Sequence, residues 1–286
     1  MTSAASLMAS AAELLARHGL SPKKALGQNF LVDARVPARI AAAAELGPSD
    51  VVVEIGAGLG ALTARLVLTA GKVIAVERDA KLAAILRTEL GERANLDVVE
   101  GDALEFDWAA CAARAGRPLV VVGNLPYVIT SPVLFAVLEA AAGGKVVDRA
   151  LFMVQKEFAE RLLSPPGSRV YGRLSVMAQQ AALAEILFHV GKGAFLPPPA
   201  VTSTVLRLRP RPEPSARVND SALFAKVVRE AFGARRKMLR RSLEPVFGGR
   251  AAAALAEAGI AGTRRPEELS VADFARLANA LAEEPG

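Results

Sequence analysis

The sequence predicts an α/β protein with a mostly parallel, doubly wound sheet, followed by a small all-α C-terminal domain. Three observations predict it. Apolar runs such as Val51-Val52-Val53-Glu54-Ile55 and Leu119-Val120-Val121-Val122 are nearly continuous, as expected when both faces of a parallel sheet are covered. Strand and helix patterns alternate at the spacing of βαβ units as far as about residue 154. Beyond Pro210 the pattern is helical only.

The elements follow in order. Residues 7–15 place Leu7, Ala11, Leu14 and Leu15 at helical spacing, which predicts a short amphipathic helix. A signal peptide is the poorer reading, because no basic region precedes the apolar residues and Glu13 and Arg17 interrupt them. Residues 23–31 have no period and form a loop carrying two lysines, the amides Gln28 and Asn29, and Phe30. Asp33 caps a helix expected to run to about Leu46, ended by Gly47-Pro48. A strand at 51–55 leads into Gly56-Ala57-Gly58-Leu59-Gly60 and a helix to about Thr69. A second strand at 73–76 closes on Glu77, a helix covers 80–90, and a third strand at 96–99 closes on Gly101-Asp102. A fourth, 119–123, runs into Asn124-Leu125-Pro126-Tyr127; Ser131-Pro132 then opens a helix to about Ala141. A fifth strand is expected at 150–154, with helices at 156–163 and 173–180. Residues 184–190 and 201–208 read as an edge hairpin, joined by a loop containing Phe195-Leu196-Pro197-Pro198-Pro199. Prolines at 210, 212 and 214 make a stiff linker, and helices follow at about 221–232, 235–247, 250–258 and 271–282. The expected domains are therefore 1–209 and 210–286.

Composition narrows the function. The 52% hydrophobic content is that of a globular chain. A single cysteine, Cys111, excludes an internal disulfide framework and fits a reducing, cytoplasmic compartment. With only His18 and His189 beside it, no Cys/His zinc cluster can assemble, so no metal is expected. No run approaches the ~18 apolar residues of a membrane span, so no membrane partner is expected. The net charge of +6 favours a polyanionic partner. A monomer is the default.

Chemistry collects at the strand ends, where open α/β sheets bind ligands. Glycines 56, 58 and 60 let backbone approach a ligand at a helix start. Glu77 can accept from ribose hydroxyls, which serves NAD or S-adenosylmethionine, and Ala61 keeps the dinucleotide pattern open. Asp102, placed to accept from an exocyclic amine, tips the choice to S-adenosylmethionine. Asn124 to Tyr127 then suits transfer to an exocyclic amino nitrogen. The lone pair of adenine N6 is delocalised and poorly nucleophilic. The Asn124 side-chain carbonyl and the Leu125 backbone carbonyl can each accept an N6 hydrogen and turn that lone pair toward a methyl group. Pro126 fixes the chain direction and removes a donor. Tyr127 offers a stacking face for an extruded base, with Phe195 a candidate for the opposite face.

At these residues the chain resembles the bacterial small-subunit ribosomal RNA adenine N6,N6-dimethyltransferases. The matching segments are LGQNFL (26–31), VEIGAGLG (53–60), ERD (77–79), GDAL (101–104), NLPYVITSP (124–132), FMVQKEFAERL (152–162), FLPPPAVTSTVLRL (195–208) and FGARRKMLRRSL (232–243). The resemblance implies a Rossmann-like class I methyltransferase domain with a helical C-terminal domain. It implies S-adenosylmethionine contacts at Asn29, Leu31, Gly56, Glu77, Asp102 and Asn124, to which the local pattern adds Gln28 and Gly58. It implies as substrate two adjacent adenosines in the 3′-terminal hairpin loop of 16S RNA in the small ribosomal subunit, each receiving two methyl groups. The residues before Lys23 lie outside the shared pattern.

A basic segment completes the reading. Arg236 and Arg240, and Lys237 and Arg241, are four apart, which places them on adjoining stripes of one helix suited to phosphates. Two other readings stand beside the leading one: an erythromycin-resistance type methylase acting on large-subunit RNA, and a non-catalytic ribosome-assembly factor. Intact Asn124, Tyr127, Glu77 and Asp102 argue against loss of catalysis.

Overall fold

The structure, a computed structural model, describes residues 10–23, 27–91, 93–141, 143–234 and 237–282. The chain forms two units. One comprises Met1–Ala159 with Glu185–Pro210, the other Glu160–Ala184 with Arg211–Gly286.

The first unit is built on seven strands: β2 (Val51–Ile55), β3 (Lys72–Glu77), β4 (Leu96–Glu100), β5 (Leu119–Asn124), β6 (Val147–Gln155), β7 (Ala182–Val190) and β9 (Ser203–Pro210). Their spatial order is β4-β3-β2-β5-β6-β9-β7. The pairs β2/β3, β2/β5, β3/β4 and β5/β6 are parallel, and β9 joins β6 antiparallel. The β-branched runs behave as expected of covered strands. Val52, Val53, Val73, Val121 and Val122 are fully buried, and each such side chain contributes about 1.5–3 kcal/mol. Strand order reverses between β2 and β5, and Ile55 pairs with Gly123 there. The residues that follow, Gly56 and Asn124, therefore emerge side by side at the switch point, where ligands of such sheets bind.

A second, two-stranded sheet pairs β1 (Phe30–Leu31) with β8 (Phe195–Leu196), Phe30 opposite Leu196 and Leu31 opposite Phe195. Helices α1 (Ala11–Arg17), α2 (Arg35–Ala43), α3 (Thr63–Leu66), α4 (Ala80–Leu90), α5 (Trp108–Ala115) and α6 (Thr130–Ala140) complete the order between strands. Helix α2 is shorter than expected. Asp33 bonds the Arg35 N–H at 3.0 Å from just outside the helix, and Glu45 takes a positive φ of 52° before Gly47 is reached. Helix α3 is a single turn, flanked by i→i−3 turns at Arg65 and Leu68. Helix α5 has no counterpart in the sequence reading.

Helix α7 (Lys156–Leu163) follows β6. The second unit packs α8 (Arg173–Ala181), α9 (Ser221–Gly233), α10 (Leu239–Phe247), α11 (Arg250–Glu257) and α12 (Val271–Ala282) around one core. Tyr171, Val176, Phe224, Leu243, Leu255 and Phe274 share that core, so Tyr171 and α8 pack with the C-terminal helices although they follow the sheet in sequence. The expected helix from residue 235 starts later. Met238 is extended (φ −66°, ψ 149°) and caps α10 from Leu239. Lys237 therefore stands before the helix that carries Arg240 and Arg241, not on a shared stripe with Arg241. Arg236 lies outside the described residues.

Candidate active site

A cavity of about 600 Å³ opens at the switch point, the size range of small-molecule sites. Its wall is assembled from four places in the chain: the loop before β1, the turn after β2, the ends of β3 and β4, and the turn after β5.

The turn after β2 is made by φ values of +69°, +58° and +84° at Gly56, Gly58 and Gly60. Only glycine adopts these without strain. The turn is tied to β3 by Glu77, whose carboxylate accepts the Gly58 N–H at 2.8 Å and the Asp79 N–H at 2.9 Å. Burial raises the Glu77 carboxyl above its ordinary range, and these two N–H groups oppose that rise. Asp102, after β4, accepts the Leu104 N–H at 3.0 Å and pairs with Arg78 at 3.3 Å. Glu77 and Asp102 thus stand on neighbouring strand ends along one side of the cavity.

The opposite side is the turn after β5. Gly123 permits it, since a Cβ there would lie 2.9 Å from the Ile55 carbonyl oxygen. The Asn124 side-chain Nδ2 donates to the Asn29 carbonyl at 3.3 Å. That bond fixes the amide with its Oδ1 as the remaining acceptor. The buried Leu125 donates its N–H to the Met153 carbonyl at 3.2 Å. The Pro126 carbonyl accepts from the Ile129 N–H and the Thr130 hydroxyl, both at 3.1 Å, closing the turn into α6. Tyr127 is held by its hydroxyl, 3.0 Å from Ser203 Oγ on β9, and burial raises its pKa.

All the predicted donor-site residues line this one cavity: Gln28, Asn29, Leu31, Gly56, Gly58, Glu77, Asp102 and Asn124. Leu125, Pro126 and Tyr127 join them. Phe195 does not. It is 3% exposed and packs with Leu31, Val36 and Val205 in the core. In β8 it stands opposite Leu31, which does line the cavity. Arg236 is outside the described residues; Lys237 and Arg240 are exposed in the second unit.

One wall residue went unremarked in the sequence. Glu54 is 2% exposed within β2 and accepts from the Thr63 hydroxyl at 2.5 Å. Burial, with the nearby Glu77 charge, pushes its pKa up to about 8, so it is largely a neutral acid at pH 7. A carboxylate inside an otherwise apolar strand is the signal that exposes it. Val128, 76% exposed at the rim, carried no such signal. Among the described residues no group of three His, Cys, Asp or Glu side chains is placed to hold a metal, and no helix is long and apolar enough to cross a membrane.

Comparison with known proteins places this geometry. The profile described as "Ribosomal RNA adenine dimethylase" matches residues 19–283. A relative from Anaeromyxobacter dehalogenans (strain 2CP-C), named ribosomal RNA small subunit methyltransferase A, is 47% identical over 282 residues, covering 94% of this chain and 96% of that protein. A Pseudomonas aeruginosa protein of the same name is 44% identical over 264 residues, covering 92% and 96%. Among solved structures, a dimethyladenosine transferase from Plasmodium falciparum superposes with a TM-score of 0.69 at 25% identity, covering 87% of this chain and 95% of that one. The 23S rRNA methyltransferase ErmE gives a TM-score of 0.64 at 31% identity, covering 89% and 100%.

Proposed function

The chain belongs to the ribosomal RNA adenine dimethylase family, and from that premise we propose how its own residues carry out the transfer. The reaction is transfer of methyl groups from S-adenosylmethionine to N6 of two adjacent adenosines in the 3′-terminal hairpin loop of 16S RNA. Each becomes N6,N6-dimethyladenosine, a step in small-subunit biogenesis. The observation that carries the reading is one cavity lined by both the strand-end carboxylates and Asn124 to Tyr127.

The residues present fit S-adenosylmethionine. Glu77 sits where ribose hydroxyls can donate to it, and the turn it anchors presents backbone to the ligand. Asp102 is placed for the exocyclic amine of the donor's adenine. Gln28, Asn29 and Leu31 close the wall from the preceding loop. When bound, the donor supplies a methyl group on a sulfonium, which leaves by direct displacement.

Rate then comes from positioning and electrostatics. Asn124 holds its Oδ1 as acceptor because its Nδ2 is committed to Asn29. The Leu125 carbonyl is the second acceptor. In the first transfer they take both N6 hydrogens, and in the second one of them takes the single hydrogen that remains, directing the nitrogen lone pair away from the ring. Tyr127 supplies the stacking face, its ring fixed by Ser203. The N6 proton becomes acidic as the new bond forms and passes to solvent, so no strong base is needed. Lys237 and Arg240 are proposed to bind RNA phosphates, as is Arg236 on its sequence alone.

ErmE, at 31% identity, favours a second reading in which the substrate is large-subunit RNA. The curated relatives at 42–47% identity, named for the small subunit, favour the first. Labelled S-adenosylmethionine offered to small subunits, large subunits and transfer RNA in parallel separates them. Label in small-subunit RNA is expected. Label confined to large-subunit RNA would establish the second reading, and reduction of a nicotinamide without methyl transfer would overturn both.

A further inference from the structure

Helix α1 precedes the stretch that the family profile matches, which begins at residue 19. Its seven residues are too few to hold a helix in water unaided, yet it is thoroughly anchored. Ser10 and Glu13 form a reciprocal capping box, with Ser10 N–H to Glu13 Oε2 at 2.8 Å and Glu13 N–H to Ser10 Oγ at 3.3 Å. Leu14 and Leu15 are buried against Phe30, Leu59, Leu82 and Ile85. At the other end, Arg17 bonds Glu89 on α4 at 2.9 and 3.1 Å, and His18 Nε2 lies 3.2 Å from the same carboxylate.

Phe30 is the link between this helix and the cavity. It stands between Asn29 and Leu31, which line the wall. Its ring would lie 3.5 Å from a Cβ at Gly58, against the turn that Glu77 anchors. Leu14 and Leu15 belong to the same buried cluster as Phe30. The Lys23 ammonium, 2.5 Å from Asp79, and the Lys23 N–H to Gln28 Oε1 bond at 2.9 Å tie the same loop to the start of α4.

We propose that α1 is a brace for the methyl-donor pocket: by packing Leu14 and Leu15 on Phe30 it holds Asn29 and Leu31 in the binding arrangement and so sets donor affinity. These are positioning residues, since neither leucine lines the main cavity. Without them Phe30 has water on its outer face, and the loop spends part of its time out of position. Donor affinity falls in proportion to the lost fraction. Turnover at saturating donor and the affinity for RNA do not change, because binding restores the same wall.

The proposal rests on reading the cavity as the S-adenosylmethionine site, so wild-type binding is measured first. Calorimetry with S-adenosylmethionine and S-adenosylhomocysteine on the wild type, L14A/L15A, L14M/L15M and R17A forms the test, with steady-state kinetics and thermal melting on each. In L14A/L15A the donor Kd and KM should rise about tenfold, which is about 1.4 kcal/mol, with kcat and RNA KM within about twofold. The volume-conserving L14M/L15M should restore wild-type values. R17A, at an exposed site, should raise the donor Kd at least about twofold and keeps the test decisive if L14A/L15A does not fold. Wild-type protein that binds neither ligand would overturn the cofactor reading and the brace with it. Wild-type binding with unchanged donor Kd in the folded variants, or an equal loss of donor affinity, kcat and RNA affinity, would overturn the brace alone.

Discussion

Asn124 carries two duties with one amide, and its hydrogen bond separates them. Nδ2 faces the protein, at the Asn29 carbonyl, and Oδ1 is left for the substrate. Asn124→Ala should therefore cut turnover by about 10²–10³-fold or more, with RNA binding largely kept; near-normal turnover in that variant would contradict the assignment. Tyr127 separates in the same way. Tyr127→Phe loses the Ser203 bond but keeps the ring. It should retain far more activity than Tyr127→Ala, which loses a stacking face worth about 1–3 kcal/mol. Kinetics of the two side by side check this.

Glu54 makes a different prediction. Its folded pKa, about 8, lies above the ordinary carboxylate value of 4.5. The unfolded chain thus releases this proton first as pH rises. The stability associated with neutral Glu54 is fully present below about pH 4.5 and is lost as pH rises through about 8. Glu54→Gln should flatten that decline, so the variant gains on the wild type between pH 5 and pH 8. Denaturant titrations at the two pH values measure it, and parallel curves would refute it.

Elements differ in how far their sequence reveals them. The strands at 51–55, 72–77 and 119–124 were legible because apolar runs ending in Gly, Glu or Asn mark both strand and site. Helix α5 was missed although Asp107 caps it and Gly116 ends it in a left-handed conformation. Its eight residues span barely two turns, too few for an apolar pattern to repeat along the helix. The β1/β8 pairing was illegible for another reason. Two-residue strands have no period, and their partners are far apart in the chain. That pairing sets Phe195 opposite Leu31, which no local pattern around Phe195 records. At the tip of β5, Gly123→Ala would set a methyl group 2.9 Å from the Ile55 carbonyl and 3.0 Å from Leu125 Cδ2. A loss of about 1–3 kcal/mol in denaturant melts is expected, with turnover falling further as Asn124 shifts.

Over the whole molecule, the change from mixed to helical pattern near Pro210 falls at one edge of the second unit. That Tyr171 and Val176 belong to that unit was not legible. They follow the sheet in sequence but join the core of α9 to α12, through contacts with residues far later in the chain. We propose that the first unit carries methyl transfer and that the second contributes phosphate contacts through exposed Lys237 and Arg240. Replacing both with Ala should lower the slope of log K against log[salt] by about 1.5 and weaken RNA binding across sequences. An unchanged slope would remove these residues from the RNA interface.

The central claim is that one cavity joins a methyl donor to adenine N6. The most direct measurement uses small subunits whose RNA lacks the modification, incubated with the protein and S-adenosylmethionine, then digested to nucleosides and separated by mass. The account predicts two N6,N6-dimethyladenosines per RNA, at adjacent positions in the 3′-terminal hairpin loop, and their loss with Asn124→Ala. Methyl groups found on another atom or another base, or dimethyladenosine formed equally well by the Asn124→Ala protein, would contradict it.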